Sequence, residues 1–155
     1  MLLAVDFMNY TYATNPCTTN VPVRAVMRSG SFYYEDPQMG QAFTVTVKSV
    51  QRGSLQPGTH QALVVLQCEF PIGGTAAAYV FDEQKTGAVL LRKIAVANWG
   101  GDWGDPNGIK ATFGRERLVV DSCQDDYCEL KASKTYALHA GKLVLLSMRT
   151  YKPGT

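Results

Sequence analysis

From Phe43 to Val50 the chain alternates apolar and polar residues, Phe43-Thr44-Val45-Thr46-Val47-Lys48-Ser49-Val50. Side chains on a strand point to opposite faces in turn, so this pattern puts the odd positions toward a core and the even ones toward water. No window of a dozen residues carries an apolar stripe at helical spacing, and strand signals recur from end to end. Helix is therefore expected to be minor. Ala62-Leu63-Val64-Val65-Leu66 is apolar on both faces, so the strand it begins, running on to Phe70, should be central and covered on each side.

Two later segments match when aligned on a glycine. Tyr79-Val80-Phe81-Asp82 leads to Gly87-Ala88-Val89-Leu90-Leu91, and Tyr136-Ala137-Leu138-His139 leads to Gly141-Lys142-Leu143-Val144-Leu145-Leu146. Each reads as strand, tight turn, strand, with Gly141 where a short hairpin needs positive φ. Breakers at Asp36–Gly40, Gln56–Gly58, Pro71–Gly74 and Asn98–Gly108 mark the other joints, and none has the look of an interdomain linker. The expectation is one all-β domain over residues 1–155, with nine or ten short antiparallel strands in a meander that forms a sandwich, a barrel or a strongly curved sheet.

A chain of 155 residues with 46% hydrophobic and 18% charged side chains can bury a core. Its formal charge of +2, with the signs interspersed, lacks the basic stripe that would neutralise phosphates, so nucleic acid is not an expected partner. No apolar run approaches the roughly 20 residues of a membrane-spanning helix. Met1 to Val5 has neither a basic n-region nor a full apolar h-region, and the start reads as one whose leader has been trimmed, with an authentic cytosolic start as the alternative.

Cys17, Cys68, Cys123 and Cys128 allow three pairings. Spacing favours a short hairpin closed by Cys123 and Cys128, leaving Cys17 to reach Cys68 and pin the N-terminal segment onto the central strand. That longer loop would contribute roughly 3 to 4 kcal/mol in the chain-entropy model. Four reduced cysteines acting as small apolar residues is the alternative. A zinc site does not fit, because there is no paired C-x-x-C and neither His60 nor His139 stands at ligand spacing.

The most unusual segment is Asn98-Trp99-Gly100-Gly101-Asp102-Trp103-Gly104-Asp105-Pro106-Asn107-Gly108. Trp99 and Trp103 can stack on sugar rings or aromatic groups while Asp102, Asp105 and Asn107 accept or donate hydrogen bonds. The same indoles would also serve to cap the core beneath a long loop. A calcium loop fails on spacing: the first and twelfth ligands of an EF-hand register fall on Trp103 and Gly114. A second candidate is the acidic hairpin Asp121–Glu129, with Asp125, Asp126 and Tyr127 at its tip, suited either to a basic partner or to keeping an edge from aggregating. In Ser31–Glu35, alternation puts Phe32 and Tyr34 on one face and Tyr33 on the other. Asn9-Tyr10-Thr11 matches the short glycosylation pattern.

Catalytic signatures are absent: no G-x-S-x-G elbow, H-E-x-x-H, phosphate-cradling loop or dinucleotide fingerprint. His60 and His139 both sit at strand ends, and no cofactor is implied.

The opening Asp6-Phe7-Met8-Asn9-Tyr10-Thr11-Tyr12, a cysteine, a β-meander and a closing Tyr136 to Leu143 hairpin together resemble small bacterial exported domains of the lipoprotein or periplasmic type. In size, cysteine use and strand content the chain is also similar to bacterial periplasmic lysozyme inhibitors. The resemblance implies a periplasmic or extracellular location, with a lipid anchor on the full-length product as one form. It transfers no functional residue. Three readings follow: a noncatalytic exported module binding a protein or an envelope glycan, one form being an inhibitor of a cell-wall hydrolase; a small glycan or peptide hydrolase using Asp102, Asp105 and a histidine; and a structural component of an envelope assembly.

Overall fold

The computed structural model describes residues 4–14, 16–17, 24–37, 40–70, 73–99, 108–124 and 128–154. After a 3-10 turn at Phe7–Asn9 come β1 (Thr11–Tyr12), β2 (Ala25–Val26), β3 (Ser31–Asp36), β4 (Gln41–Gly53), β5 (Gln61–Phe70), β6 (Gly73–Gln84), β7 (Gly87–Trp99), β8 (Ile109–Phe113), β9 (Leu118–Cys123), β10 (Lys131–His139) and β11 (Lys142–Tyr151). β3 to β7 form a five-stranded antiparallel meander, β8 to β11 a four-stranded one, and β1 pairs with β2 alone. Neither large sheet closes on itself, so the all-β architecture is a sandwich rather than a barrel.

β5 is the central strand of the larger sheet and is buried from Gln61 through Cys68. Ala62, Val64, Leu66 and Cys68 face one side with Phe43, Val45, Ala77, Tyr79 and Phe81, beneath a layer made by Phe7, Tyr12, Cys17, Ala25 and Met27. Leu63 and Val65 face the other side with Ala76, Ala78 and Val80, and there they meet Leu118, Val120, Tyr136 and Leu143 of the second sheet. A strand apolar on both faces is thus accounted for by two coverings, the N-terminal segment and the four-stranded sheet.

The N-terminal layer has little regular structure to hold it, and four other devices do so. Cys17 is bonded to Cys68 on β5. Phe7 packs on Phe81 at 5.3 Å between ring centroids, and Tyr10 meets Tyr12 edge-on at 4.9 Å. The nearly buried Glu83 carboxylate accepts from Arg52 Nε at 2.9 Å and from the Val5 N–H at 2.8 Å, while Arg52 donates to the Val5 carbonyl and lies over the Phe7 ring. A charge buried with all its partners supplied is tolerated where an unpaired one would not be. Asn9 uses its amide to brace Asp6 and the left-handed Ser29.

Strands are longer than the sequence pattern suggests, because bulges break the alternation without ending the strand. Phe43 and Val45 are buried as expected of odd positions. A register shift between Val47 and Ser49 then exposes Ser49 and turns Val50 toward the core. β7 shifts twice, opposite Ala78/Tyr79 and Val80/Phe81. The first shift leaves Ile94 without a pairing partner, so that consecutive Ile94 and Ala95 both reach the inter-sheet core. In β3 the expected parity holds, with Phe32 and Tyr34 stacked on the core side and Tyr33 60% exposed. The β10–β11 turn has Ala140 at φ 50° as well as Gly141 at φ 75°.

Two buried hydroxyls make opposite contributions. Tyr12 donates to the Phe7 carbonyl at 2.8 Å. Tyr79 is fully buried and its hydroxyl has no well-formed hydrogen bond among the described residues, although Thr14 stands near enough to favour the ionised form, against the larger effect of burial. Tyr12→Phe is expected to cost about 1 kcal/mol in urea unfolding, and Tyr79→Phe to be neutral or stabilising by up to about 1 kcal/mol, since it removes a buried group that gains no partner. Equal losses in both variants would contradict this assignment.

Burial pushes the hydroxyls of Tyr12, Tyr79 and Tyr136 above the ordinary tyrosine value of 10.0. For Tyr12 the neighbouring Tyr10 and Asp6 add to the effect, and for Tyr136 the Arg92 guanidinium opposes it. Above pH 10.0 the unfolded chain releases protons that the folded one keeps, so the contribution is complete below that pH and declines as pH rises beyond it. Urea midpoints should therefore be flat approaching pH 10.0 and fall above it. Absorbance at 295 nm should show Tyr12, Tyr79 and Tyr136 ionising above the ordinary tyrosine range.

Candidate functional site

Both segments singled out in the sequence are rooted at one end of the sandwich. β7 ends at Trp99, whose backbone pairs with Gly74, so Asn98 and Trp99 prolong a strand rather than open a loop. The chain returns as β8 at Ile109, which pairs with Ser122. Ser122 precedes Cys123, the last residue of β9, and Cys123 is bonded to Cys128 as the spacing predicts. Gln124 N–H donates to the Leu130 carbonyl at 2.8 Å, and Lys131 then pairs back to Cys123. Asp102, Trp103, Asp105, Asn107, Asp125, Asp126 and Tyr127 lie outside the described residues.

Between these roots the two sheets separate into a cleft of about 370 Å³. Its floor is Ile94, Ala95 and Val96, brought there by the β7 bulge. Its wall is Ser122, Cys123 and Gln124 at the end of β9, where the Gln124 amide donates to Ser122 Oγ at 3.4 Å. Lys93 and Lys134 complete it. Lys134 shares the inward face of β10 with Ala132, Tyr136 and Leu138, a placement set by alternation and unusual for a cation. Ser122 is 2% exposed.

The sequence reading missed Lys93, Ser122 and Lys134. For Lys134 a signal existed, since positions 132, 134, 136 and 138 fall on one face. Ile94 and Ala95 are brought to the cleft together by a bulge that no residue type announces.

A second cleft, about 420 Å³, lies at the far end of the molecule, lined by Arg52, Gly53, Ser54, His60, Gln61 and Glu83. Glu83 and Gln61 are already engaged there. Both Glu83 oxygens are taken by Arg52 and Val5. Buried Gln61 accepts from the Leu55 N–H at 2.7 Å and donates to Asp82 at 2.9 Å. His60 adjoins Gln61, which pairs with Asp82, whereas the loop carrying Asp102 and Asp105 is rooted where Trp99 pairs with Gly74. Those points stand roughly 25 Å apart along β6. His139 is likewise at the opposite end of β10 from Lys131. Among the described residues the histidines and the loop roots therefore do not meet, so a hydrolase built on Asp102, Asp105 and a histidine gains no support from these positions.

Among the described residues no group of three or more His, Cys, Asp or Glu could hold a metal ion, and no helix is long and apolar enough to cross a membrane. The two disulfides fit an oxidising compartment. No protein-family model, curated protein or solved structure matches the chain.

Proposed function

We propose that the protein is an exported, noncatalytic binding module, periplasmic or extracellular, that meets an envelope glycan or a protein at the end where the 100–107 loop and the Cys123–Cys128 hairpin are rooted. Inhibition of a cell-wall hydrolase is one form of this activity. The reading is supported by the rooting of those two segments on neighbouring strand ends beside an open cleft, away from both histidines. Trp99 and Trp103 are its expected anchors, with Asp102, Asp105 and Asn107, and with Asp125, Asp126 and Tyr127 of the hairpin, as polar contacts.

Two assays test it: cosedimentation with insoluble cell-wall glycan and inhibition of a purified lysozyme. Binding in one of them is expected, and Trp99→Ala with Trp103→Ala should weaken it by at least about tenfold, as loss of aromatic anchors does. Absence of binding in both assays, or unchanged affinity in the tryptophan variant, would overturn the reading.

One observation favours the structural-component alternative. β11 is a ten-residue edge strand on which Val144, Leu145, Leu146 and Met148 are 37–56% exposed. Opposing it, the register shifts at Leu146, between the pairs Thr135–Ser147 and Tyr136–Leu145, and Lys142 and Arg149 flank the stretch. Bulges and edge cations discourage strand addition. Sedimentation velocity should show a monomer, whereas concentration-dependent dimers would favour assembly.

A further inference from the structure

Resting on the binding-module reading and deepening it, we infer that the ligand is a neutral saccharide and that part of it lies on the face of the five-stranded sheet carrying Tyr33, Thr44 and Glu69. Residues directly paired across strands put their side chains on the same face. Tyr33 pairs with Thr44, Thr44 with Glu69, Glu69 with Gly74, and Gly74 with Trp99, so one row crosses the whole sheet and ends at the root of the 100–107 loop. Phe43, Val45 and Cys68 point the other way, into the core beneath the N-terminal layer. Farther along β5 and β6 the face of this row is covered by the second sheet, at Leu63, Val65, Ala78 and Val80. At the row itself Tyr33 is 60% exposed and Glu69 is exposed.

The groups on this face have the chemistry that a sugar needs. The Tyr33 hydroxyl donates to Glu35 Oε1 at 2.9 Å, which ties the ring along β3 and lowers the freedom lost when a ligand stacks on it. An exposed phenol offers an apolar ring to the C–H face of a sugar and a polar tip to its hydroxyls. Glu69 Oε1 accepts from the Gln67 amide at 2.8 Å. That bond fixes the sense of the amide, because the reverse would set its oxygen against a carboxylate. Gln67 is 4% exposed, at the border between the open row and the covered core, and its Oε1 has no hydrogen-bond partner among the described residues. A buried acceptor left unpaired is costly, and a hydroxyl donor answers it. Glu35 and Glu69 each accept from the residue two positions back on their own strand, and those strands lie two spacings apart, about 10 Å, with Thr44 on the strand between. Acceptors spread along a sheet beside an aromatic ring suit the spaced hydroxyls of a saccharide, whereas a compact cation calls for carboxylates that converge. The same two carboxylates oppose an acidic sugar.

The test is a ¹H–¹⁵N titration of the whole chain with an N-acetylglucosamine tetramer, side-chain amides included. Saturable shifts are expected at Tyr33, Thr44, Glu69 and the Gln67 side-chain amide. Tyr33→Ala should weaken the affinity by at least about tenfold, and Tyr33→Phe, which keeps the ring, should stay within about threefold of the parent. Tetralysine at the same ionic strength is expected to leave these signals in place. Lack of saturation by the tetramer, saturable shifts confined to other residues, unchanged affinity in a folded Tyr33→Ala variant, or saturation of the same signals by tetralysine would each overturn the inference. A silent titration alongside lysozyme inhibition that needs Trp99 and Trp103 would remove the saccharide assignment and leave the binding-module reading standing. Tetramer shifts at Tyr33 that persist in the Trp99→Ala/Trp103→Ala variant would carry the inference while removing the loop from that reading.

Discussion

Removal of the Cys17–Cys68 bond, by Cys17→Ala with Cys68→Ala, is expected to lower stability by about 4 kcal/mol, roughly twice the loss from removing Cys123–Cys128. The difference comes from the loops each bond closes, with sequence separations of 51 and 5. Structure adds to the asymmetry. Cys68 is fully buried on β5, and Cys17 belongs to an N-terminal layer whose only strands among the described residues are the two-residue pair β1 and β2. Without the bond, that layer depends on Phe7, Tyr12 and the Glu83–Arg52–Val5 network to stay on the sheet. Urea unfolding of the two variants should separate them clearly. A Cys17/Cys68 variant as stable as the Cys123/Cys128 one would mean that the N-terminal segment needs no pin.

Tyr136→Ala should cost about 3 to 5 kcal/mol, as truncation of a large buried aromatic does. Tyr136 is the side chain that joins the two sheets. Its ring lies in the inter-sheet core with Leu118, Val120 and Leu143, its hydroxyl donates to the Ile94 carbonyl on β7 at 3.4 Å, and Arg92 of β7 lies over it at 5.5 Å. Arg92 also reaches the Leu143 carbonyl at 3.4 Å, closing a circuit between β7 and the β10–β11 hairpin. Because the hydroxyl bond is long, Tyr136→Phe should cost only about 0.5 to 1 kcal/mol, which assigns most of the loss to packing. A small effect of Tyr136→Ala would show that the sheets are held together elsewhere.

Much of the fold was legible wherever one strand reports its own surroundings. The two-faced run at Ala62–Leu66 announced a central strand, the four residues between Cys123 and Cys128 announced a hairpin, and Phe32, Tyr33 and Tyr34 fell on the faces that alternation assigns them. What escaped depends on relations between strands. The bulges in β4 and β7 arise from pairing and twist, and Lys48 or Ile94 carries no mark of being the extra residue. The N-terminal layer escaped for another reason. Phe7 and Met27 lie outside strands, and Tyr12 and Ala25 sit in strands of only two residues, so no period is present to read. The apolar β11 was legible as a strand, but the exposure of Val144, Leu145, Leu146 and Met148 was not, because composition cannot say which strand ends up at a sheet edge.

For the candidate site the balance is different. The two segments were found by their unusual chemistry, Trp99 and Trp103 with Asp102 and Asp105 in one, and Asp125, Asp126 and Tyr127 in the other. Their common origin was invisible until Ile109 was seen to pair with Ser122. The cleft between them combines a bulge on one sheet with an inward lysine on another, a coincidence that only three dimensions bring about.

That recognition occurs at this end of the sandwich is tested most directly by mapping amide shifts while purified lysozyme or a soluble cell-wall glycan fragment is added. Val96, Ile109, Ser122, Gln124 and Lys131 are expected to move together and to saturate. Saturable shifts at the opposite end instead, in the turns at Lys85, Thr86, Ala140 and Gly141 and in the 54–60 connection, with the loop roots silent, would contradict it.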